Sequence, residues 1–295
     1  MNSELNYFLQ TVSNGISLGS MYSMIAVGYS MVYSLLYQVN FAHGDLYVFG
    51  TFIAFTFMSM SLPLPVAIIA AGLLTALIGM TIERTVYRPV RYANRIVPMI
   101  SALGAALVLR TVAQVIWGPE ALSFPLFLPG GSLDLGGFKL FYKNIVVIVF
   151  ATALVVCLTM VMNHTKLGRA TQCIVENMQT AQLMGIPINK IIPLIYGLGG
   201  FFGVIGGIMY SGYYGVISID MGIWGTIKAW AAAMLGGVGS FYGAFLGGIL
   251  LGAAETFAGA YIGSASKEAL GYIVIVLVLV FRPNGLLGKK KVVKV

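Results

Sequence analysis

Apolar stretches of about 20 residues recur along the chain, separated by short polar segments and by breaks marked with glycine and proline. Such stretches fit helices crossing a hydrocarbon core about 30 Å thick, rather than barrel strands of about 10 alternating residues. The pattern predicts an all-α fold, a polytopic transmembrane helical bundle of about 8 to 9 spans. Hydropathy and turn residues place the spans at 9–36, 41–60, 63–82, 97–117, 144–162, 191–212, 224–238, 241–262 and 267–282. The division of 224–262 rests on the break Gly236-Gly237-Val238-Gly239-Ser240. One of these pieces is alternatively a re-entrant or broken helix, tolerated where protein or a watery cavity satisfies its backbone.

Composition agrees. Of the 295 residues, 59% are hydrophobic and 9% charged, against roughly 25% charged in soluble proteins. That excludes a soluble fold and predicts one transmembrane domain over 1–295, immersed in lipid. The net charge of +8 does not indicate nucleic acid, because the basic residues sit in short loops and act as orientation signals. Arg84, Arg88, Arg91 and Arg95 form one basic cluster, and Lys166, Arg169 and Lys190 a second. Arg282, with Lys289, Lys290, Lys291 and Lys294 of a tail over 283–295, forms the third. All three are expected in the cytoplasm, with the C-terminus; the N-terminus and 118–143 then lie outside. Cys157 and Cys173 make neither a disulfide framework nor a metal-ligand spacing, so no metal site is expected. The first residues lack the positive region of a cleavable signal, and the first span is expected to persist.

The longest polar interruption, 166–190, holds a short amphipathic helix, from about Gly168 to Gly185. Arg169, Gln172, Glu176, Gln179 and Gln182 share one side, and Ala170, Ile174, Met178 and Ala181 another. Gly185, followed by Ile186 and Pro187, stops it. Such a helix lies on the bilayer or docks into a groove on a cytoplasmic protein. With Arg169 the one basic residue inside it, docking is the better reading. Within the spans, Gly199, Gly203 and Gly207 recur four apart, as do Gly243 and Gly247, beside Gly248 and Gly252. That spacing suits close helix packing, or else room for a solute or a sliding helix.

Charges inside spans are costly and face a bundle interior or a cavity. Asp45, Arg110, Lys228 and Glu255 are the candidates. Arg110 and Glu255 come out at similar depth and Lys228 slightly nearer the cytoplasm, so a pair or triad could form among them. It either locks helices together or lines a polar path. Asn40 is placed to cap the second span and Asp45 to meet its dipole, unless both belong to a broken-helix end on the path. His43 reads as a structural group rather than a proton relay.

Gly168-Arg169-Ala170 through Glu176, Ala181 and Gly185-Ile186 resembles the coupling-loop signature of permease subunits in binding-protein-dependent ABC importers. Three further stretches narrow the family: Asn40-Phe41-Ala42-His43-Gly44-Asp45, then Glu83-Arg84 with Tyr87-Arg88-Pro89-Val90-Arg91, and Lys228-Ala229 leading to Leu235-Gly236-Gly237-Val238-Gly239-Ser240 and Gly243. In order and spacing they resemble the shorter permease of the branched-chain amino acid importer. The resemblance implies a fold similar to the ribose and vitamin importers, with Arg169, Gln172, Glu176, Gln179, Ala181 and Gly185 coupling to an ATPase. It implies four kinds of partner: a second related permease, two cytoplasmic ATPases, an external solute-binding protein and an amino-acid substrate. The chain has no phosphate-binding loop, since Gly288-Lys289 lacks the upstream glycine and the following hydroxyl. ATP and magnesium are therefore expected on the partners, with no cofactor and no catalytic residue here. The expected location is a prokaryotic cytoplasmic membrane. Urea or short amides are the competing substrates. A gradient-driven carrier built on Asp45, Lys228 and Glu255 would have no use for a docking helix, and a scaffold no use for Lys228 and Glu255 in separate spans.

Overall fold

The computed structural model describes residues 3–36, 38–94, 96–134, 137–237, 239–282 and 285–288, without the side chains at 265, 268, 271, 275 and 279. Arg95 and the tail lysines Lys289, Lys290, Lys291 and Lys294 fall outside the described residues. Helix α1 (Ser3–Leu36) leads to α2 (Ala42–Ser59) and α3 (Leu64–Ile82). A π-helical turn (Glu83–Tyr87) and a last short turn, α4 (Arg88–Val90), extend α3. Then come α5 (Ile96–Trp117), α6 (Tyr142–His164), the short α7 (Lys166–Glu176) and α8 (Met178–Leu183), and α9 (Ile188–Tyr214). Helices α10 (Met221–Gly236), α11 (Phe241–Tyr261) and α12 (Ser264–Phe281) complete the order. Among the described residues, six helices are long and apolar enough to cross a membrane: Ser3–Leu36, Leu64–Val90, Ile96–Trp117, Tyr142–His164, Ile188–Tyr214 and Phe241–Tyr261.

The expectation of helices alone needs one correction. Strand β1 (Leu122–Ser123) pairs antiparallel with β4 (Val216–Ile217), and β2 (Ser132–Asp134) with β3 (Lys139–Phe141). All but β4 belong to the proline- and glycine-rich stretch between α5 and α6, where helix is disfavoured and extended backbone must find other partners.

At 34 residues and about 1.5 Å per residue, α1 is about 51 Å long and forms the axis of the bundle. Helices α6, α9, α10 and α11 pack around it. Its small residues permit that burial: Gly15 and Gly19 abut α11, and Gly28 meets Gly199 of α9. The hydroxyls of Ser17, Ser20 and Ser23 donate to the carbonyls of Ser13, Ile16 and Gly19 at 2.8, 2.8 and 2.7 Å, so buried serines carry no unmet polar group. By contrast, α3, α5 and α6 present Leu73, Leu77, Leu107, Val115 and Val149 outward, as a lipid-facing ring would.

The break predicted between 224–238 and 241–262 is present. Helix α10 ends at Gly236, the chain turns through Gly237 and Gly239 at φ of 107° and 83°, and Ser240 caps α11 by accepting from Gly243 N at 3.0 Å. The carbonyls left open at the end of α10 are taken by the tail, with Leu286 N donating to Leu235 O and Leu287 N to Gly236 O, both at 2.9 Å.

Inter-element bonds sort the helix ends onto two faces. One holds the end of α1, the turns after α3, the α7–α8 elbow, the α10–α11 turn and residues 285–288. The other holds the start of α1 with the end of α11 (Tyr7 Oη to Ala260 O, 3.1 Å) and the end of α5 with that of α2 (Trp117 Nε1 to Thr56 Oγ1, 2.9 Å). Asn144 of α6 ties this second face together through Ser13, Asn14 and Tyr213.

Candidate functional site

The opening of α2 is the first unusual feature. Residues 38–40 are non-helical, and Phe41 rather than Asn40 occupies the N-cap position, without a side-chain cap. Asn40 still serves the helix start from one residue earlier, its Oδ1 accepting from Ala42 N at 3.0 Å and from Tyr87 Oη at 2.6 Å. Asp45, three residues into α2, accepts at one oxygen from Arg110 Nε at 3.1 Å and Nη2 at 2.8 Å. Arg110 lies fourteen residues into α5 and seven from its end, about 21 Å and about 10 Å along the axis. Helix α2 therefore opens within the thickness of the bundle, not at its surface. Gly44 rests there against Gly222 and Thr226 of α10. His43 is fully buried, edge-on to Tyr29 at 5.7 Å and beside Gly203, and its Nε2 has no hydrogen-bond partner among the described residues.

Among the described residues, three ion pairs lie in the interior. Lys228 of α10 pairs with the fully buried Glu255 of α11, whose second oxygen accepts from Tyr22 Oη of α1 at 2.9 Å. Arg110 does not join them. It pairs with Asp45 because α5 packs on α2, whereas α11 packs on α1, α10 and α12. Equal depth along a helix carries no information about which helices are neighbours. The third pair, Glu83 with Arg91, escaped the sequence reading, which assigned Arg91 to a solvated loop. Arg91 is buried, reaches back across the π-helical turn to Glu83, and donates from Nη1 to Asn189 Oδ1 at the start of α9 (3.3 Å). The available signal was Glu83 itself, an acid directly continuing an apolar run.

A cavity of about 350 Å³ lies beside the Lys228–Glu255 pair, between α1, α2, α9, α10, α11 and α12. Tyr22, Tyr47, Tyr210 and Trp224 supply aromatic wall, and Asp220 and Lys267 stand nearer the second face. Tyr47 Oη donates to Met221 O at 2.6 Å, fixing its ring against Gly225, where a Cβ would overlap the hydroxyl. No sequence signal singles out Tyr22 among 16 tyrosines.

The amphipathic segment is two helices rather than one. Helix α7 stops at Asn177, which is extended (φ −157°, ψ 108°) and caps α8 by accepting from Thr180 N at 3.0 Å. An asparagine there favours restarting a helix over continuing one. At the far end Gly185 N donates to Gln182 O and Ile186 N to Ala181 O, both at 3.1 Å, with Gly185 at φ 82°. That is the glycine-terminated closure which the sequence suggested. Arg169, Gln172, Glu176, Gln179 and Gln182 are exposed; Ile174 and Ala181 are buried against the bundle. Ala181 thus faces the bundle rather than the exposed polar side. Leu183 and Met184, 88% and 79% exposed, form an apolar tip that the sequence reading did not single out.

The glycines are packed against neighbours. A Cβ on Gly199 would meet Gly28 and Val32, on Gly203 His43 and Tyr47, and on Gly207 Thr51 and Tyr47. On Gly243 it would meet Gly236, and on Gly247 the carbonyl of Ala232. Such contacts are how helices associate in lipid.

Comparison with known proteins matches residues 11–282 to the family described as branched-chain amino acid transport system / permease component. The high-affinity branched-chain amino acid transport system permease protein BraD of Pseudomonas aeruginosa is 37% identical over 305 residues, covering 99% of each chain. The LivH protein of Escherichia coli, of the same description, is 33% identical over 309 residues and 100% of each chain. A probable LivH of Methanocaldococcus jannaschii is 26% identical, over 90% of this chain and 88% of that one. Among solved structures, PsaBC from Streptococcus pneumoniae in complex with Fab aligns at TM-score 0.49 and 12% identity, covering 92% of this chain and 91% of that one, which is too remote to argue from. The extent and identity of the sequence matches place the chain in one family: it belongs to the branched-chain amino acid transport system permease components.

Proposed function

We propose that this chain is the permease subunit of an ATP-driven, binding-protein-dependent importer of branched-chain and other hydrophobic amino acids, and forms half of the translocation path. The observation that carries the reading is full-length similarity to BraD and LivH, at 37% and 33% identity. A second, related permease completes the path, two ATPases dock on the basic face and hold ATP and magnesium, and a solute-binding protein docks on the other.

The geometry supports this division. The exposed polar side of α7 and α8, ending in Leu183 and Met184, offers a docking surface with an apolar tip. Arg169, Gln172, Glu176 and Gln179 contact the ATPase, while Ala181 seats α8 on the bundle and Gly185 closes it. Among the described residues, we read nine helices as alternating between the two faces: the six membrane-length ones together with α2, α10 and α12. The whole chain acts as one transmembrane domain. Arg84, Arg88, Lys166, Arg169, Lys190 and Arg282 gather on the face that we assign to the cytoplasm of a prokaryotic cell, with the N-terminus outside.

Reconstitution tests the proposal. Proteoliposomes holding both permeases and both ATPases should accumulate leucine only when ATP is inside and binding protein outside. Uptake by this chain alone, driven by an ion gradient, would refute it.

A further inference from the structure

We propose that the cavity beside Lys228 and Glu255 is a binding site for the zwitterionic head of the amino acid in transit, with Lys228 receiving its α-carboxylate. The inference rests on the permease reading above and locates its substrate within this subunit.

Hydrogen-bonding capacity is the first argument. Both oxygens of Glu255 are occupied, one by Lys228 and one by Tyr22. Lys228 carries three N–H donors, is buried, and has Glu255 as its one hydrogen-bond partner among the described residues. Buried polar groups are normally satisfied, so the unmet capacity facing the cavity is that of a cation, and a carboxylate is its natural complement.

Charge balance is the second. The cavity is lined by two cations, Lys228 and Lys267, and two anions, Glu255 and Asp220. A zwitterion enters such a site without adding net charge, and its ammonium finds the carboxylate of Asp220, away from Lys228, whose Nζ already lies 5.9 Å from the Tyr22 ring. The apolar side chain then meets Ile25 and Trp224. The volume, about 350 Å³, falls at the lower end of small-molecule sites. A pair that served only to lock α10 to α11 would need neither the open space nor the charges at its mouth.

The test uses the complete importer in nanodiscs and proteoliposomes, with three variants: Lys228→Met, Lys228→Arg and the double Lys228→Met/Glu255→Met. The double variant removes the pair without stranding a buried charge, so it assembles even where the single variant does not. Radiolabelled leucine bound to the permeases without binding protein should be displaced by leucine and, at least about tenfold less well, by leucinamide, which lacks the carboxylate. In proteoliposomes the double variant should melt like wild type yet import leucine at least about tenfold more slowly, with Lys228→Arg keeping more activity than Lys228→Met. Import by the double variant within about twofold of wild type, or equal displacement by leucinamide, would overturn the site and leave the permease reading intact. Failure of the wild-type complex to import leucine would instead overturn the permease reading.

Discussion

Replacing Arg91 by methionine should be far more damaging than its position in a basic loop suggests. The substitution leaves the carboxylate of Glu83, fully buried, without its counter-charge, and removes the donor to Asn189. Breaking a buried pair from one side costs about 3–5 kcal/mol, a roughly hundredfold to several-thousandfold shift in the folding equilibrium. Glu83→Met should cost a similar amount by stranding the guanidinium. The double variant Glu83→Met/Arg91→Met should recover most of the loss. Glu83 Oε2 and Arg91 Nε have no partner among the described residues, so the native pair is only partly satisfied and apolar packing can replace it. Reversible unfolding by SDS in mixed micelles, followed by tryptophan fluorescence, gives the four free energies of the cycle. The expected coupling is at least about 3 kcal/mol. Single losses under about 1 kcal/mol that simply add would show the pair behaving like an exposed surface bridge, and would refute the argument from burial.

Three more outcomes follow from the same contacts. Glu176→Arg, on the exposed side of α7, should lower substrate-stimulated ATP hydrolysis in the assembled importer while co-purification of the ATPases persists; Leu183→Asp with Met184→Asp should instead abolish co-purification. Gly252→Leu, whose side chain would collide with the backbone of Gly19, should prevent accumulation of folded protein, whereas Gly104→Ala, with no atom within 4 Å of the new methyl, should be neutral or stabilise by up to about 1 kcal/mol on thermal unfolding in detergent. Asn144→Leu removes hydrogen bonds to Ser13, Asn14 and Tyr213 at 3.1, 3.2 and 2.9 Å, and at about 0.6–1 kcal/mol each should cost about 2–3 kcal/mol in the SDS assay.

What could be read from the sequence was whatever depends on local pattern. The helical bundle, the break at Gly236 to Ser240 and the glycine-ended amphipathic segment are all set by residues within a few positions of one another. The restart at Asn177 was equally local, and was missed because side-chain periodicity runs on across a cap. Pairings were harder. Lys228, Glu255, Asp45 and Arg110 were visible as buried charges, but their partners depend on which helices touch, and that is decided by shape. Gly19 lets α1 meet α11, Gly28 lets it meet α9, and Gly44 lets α2 meet the first turns of α10. Glu83 and Arg91 were hidden for another reason: an arginine beyond a span end looks solvated until the chain curls back through a π-helical turn.

The placement of charge also explains how a chain with so few ionised groups tolerates some of them inside. Asp45, Glu83 and Glu255 are three of its nine acids, and each meets one base on a different turn or helix. A neutralised pair reduces the cost of burial without adding net charge to the interior, so the excess of bases over acids stays available at the surface to fix orientation. The pairs are not equivalent. Glu83–Arg91 ties the end of α3 to α9, next to the elbow that we assign to the ATPase. Through Tyr87 and Asn40 the same turn reaches the mid-depth start of α2, where Asp45 holds Arg110. The links are few: Arg91 to Asn189 of α9, Tyr87 to Asn40 ahead of α2, and Arg110 of α5 to Asp45, so displacement of α9 at one face is either passed to the opening of α2 or breaks a named contact. The Arg91 cycle, read with transport as well as stability, separates those two cases. In the repacked double variant, normal stability with impaired import marks a link in the coupling, and normal import marks a brace.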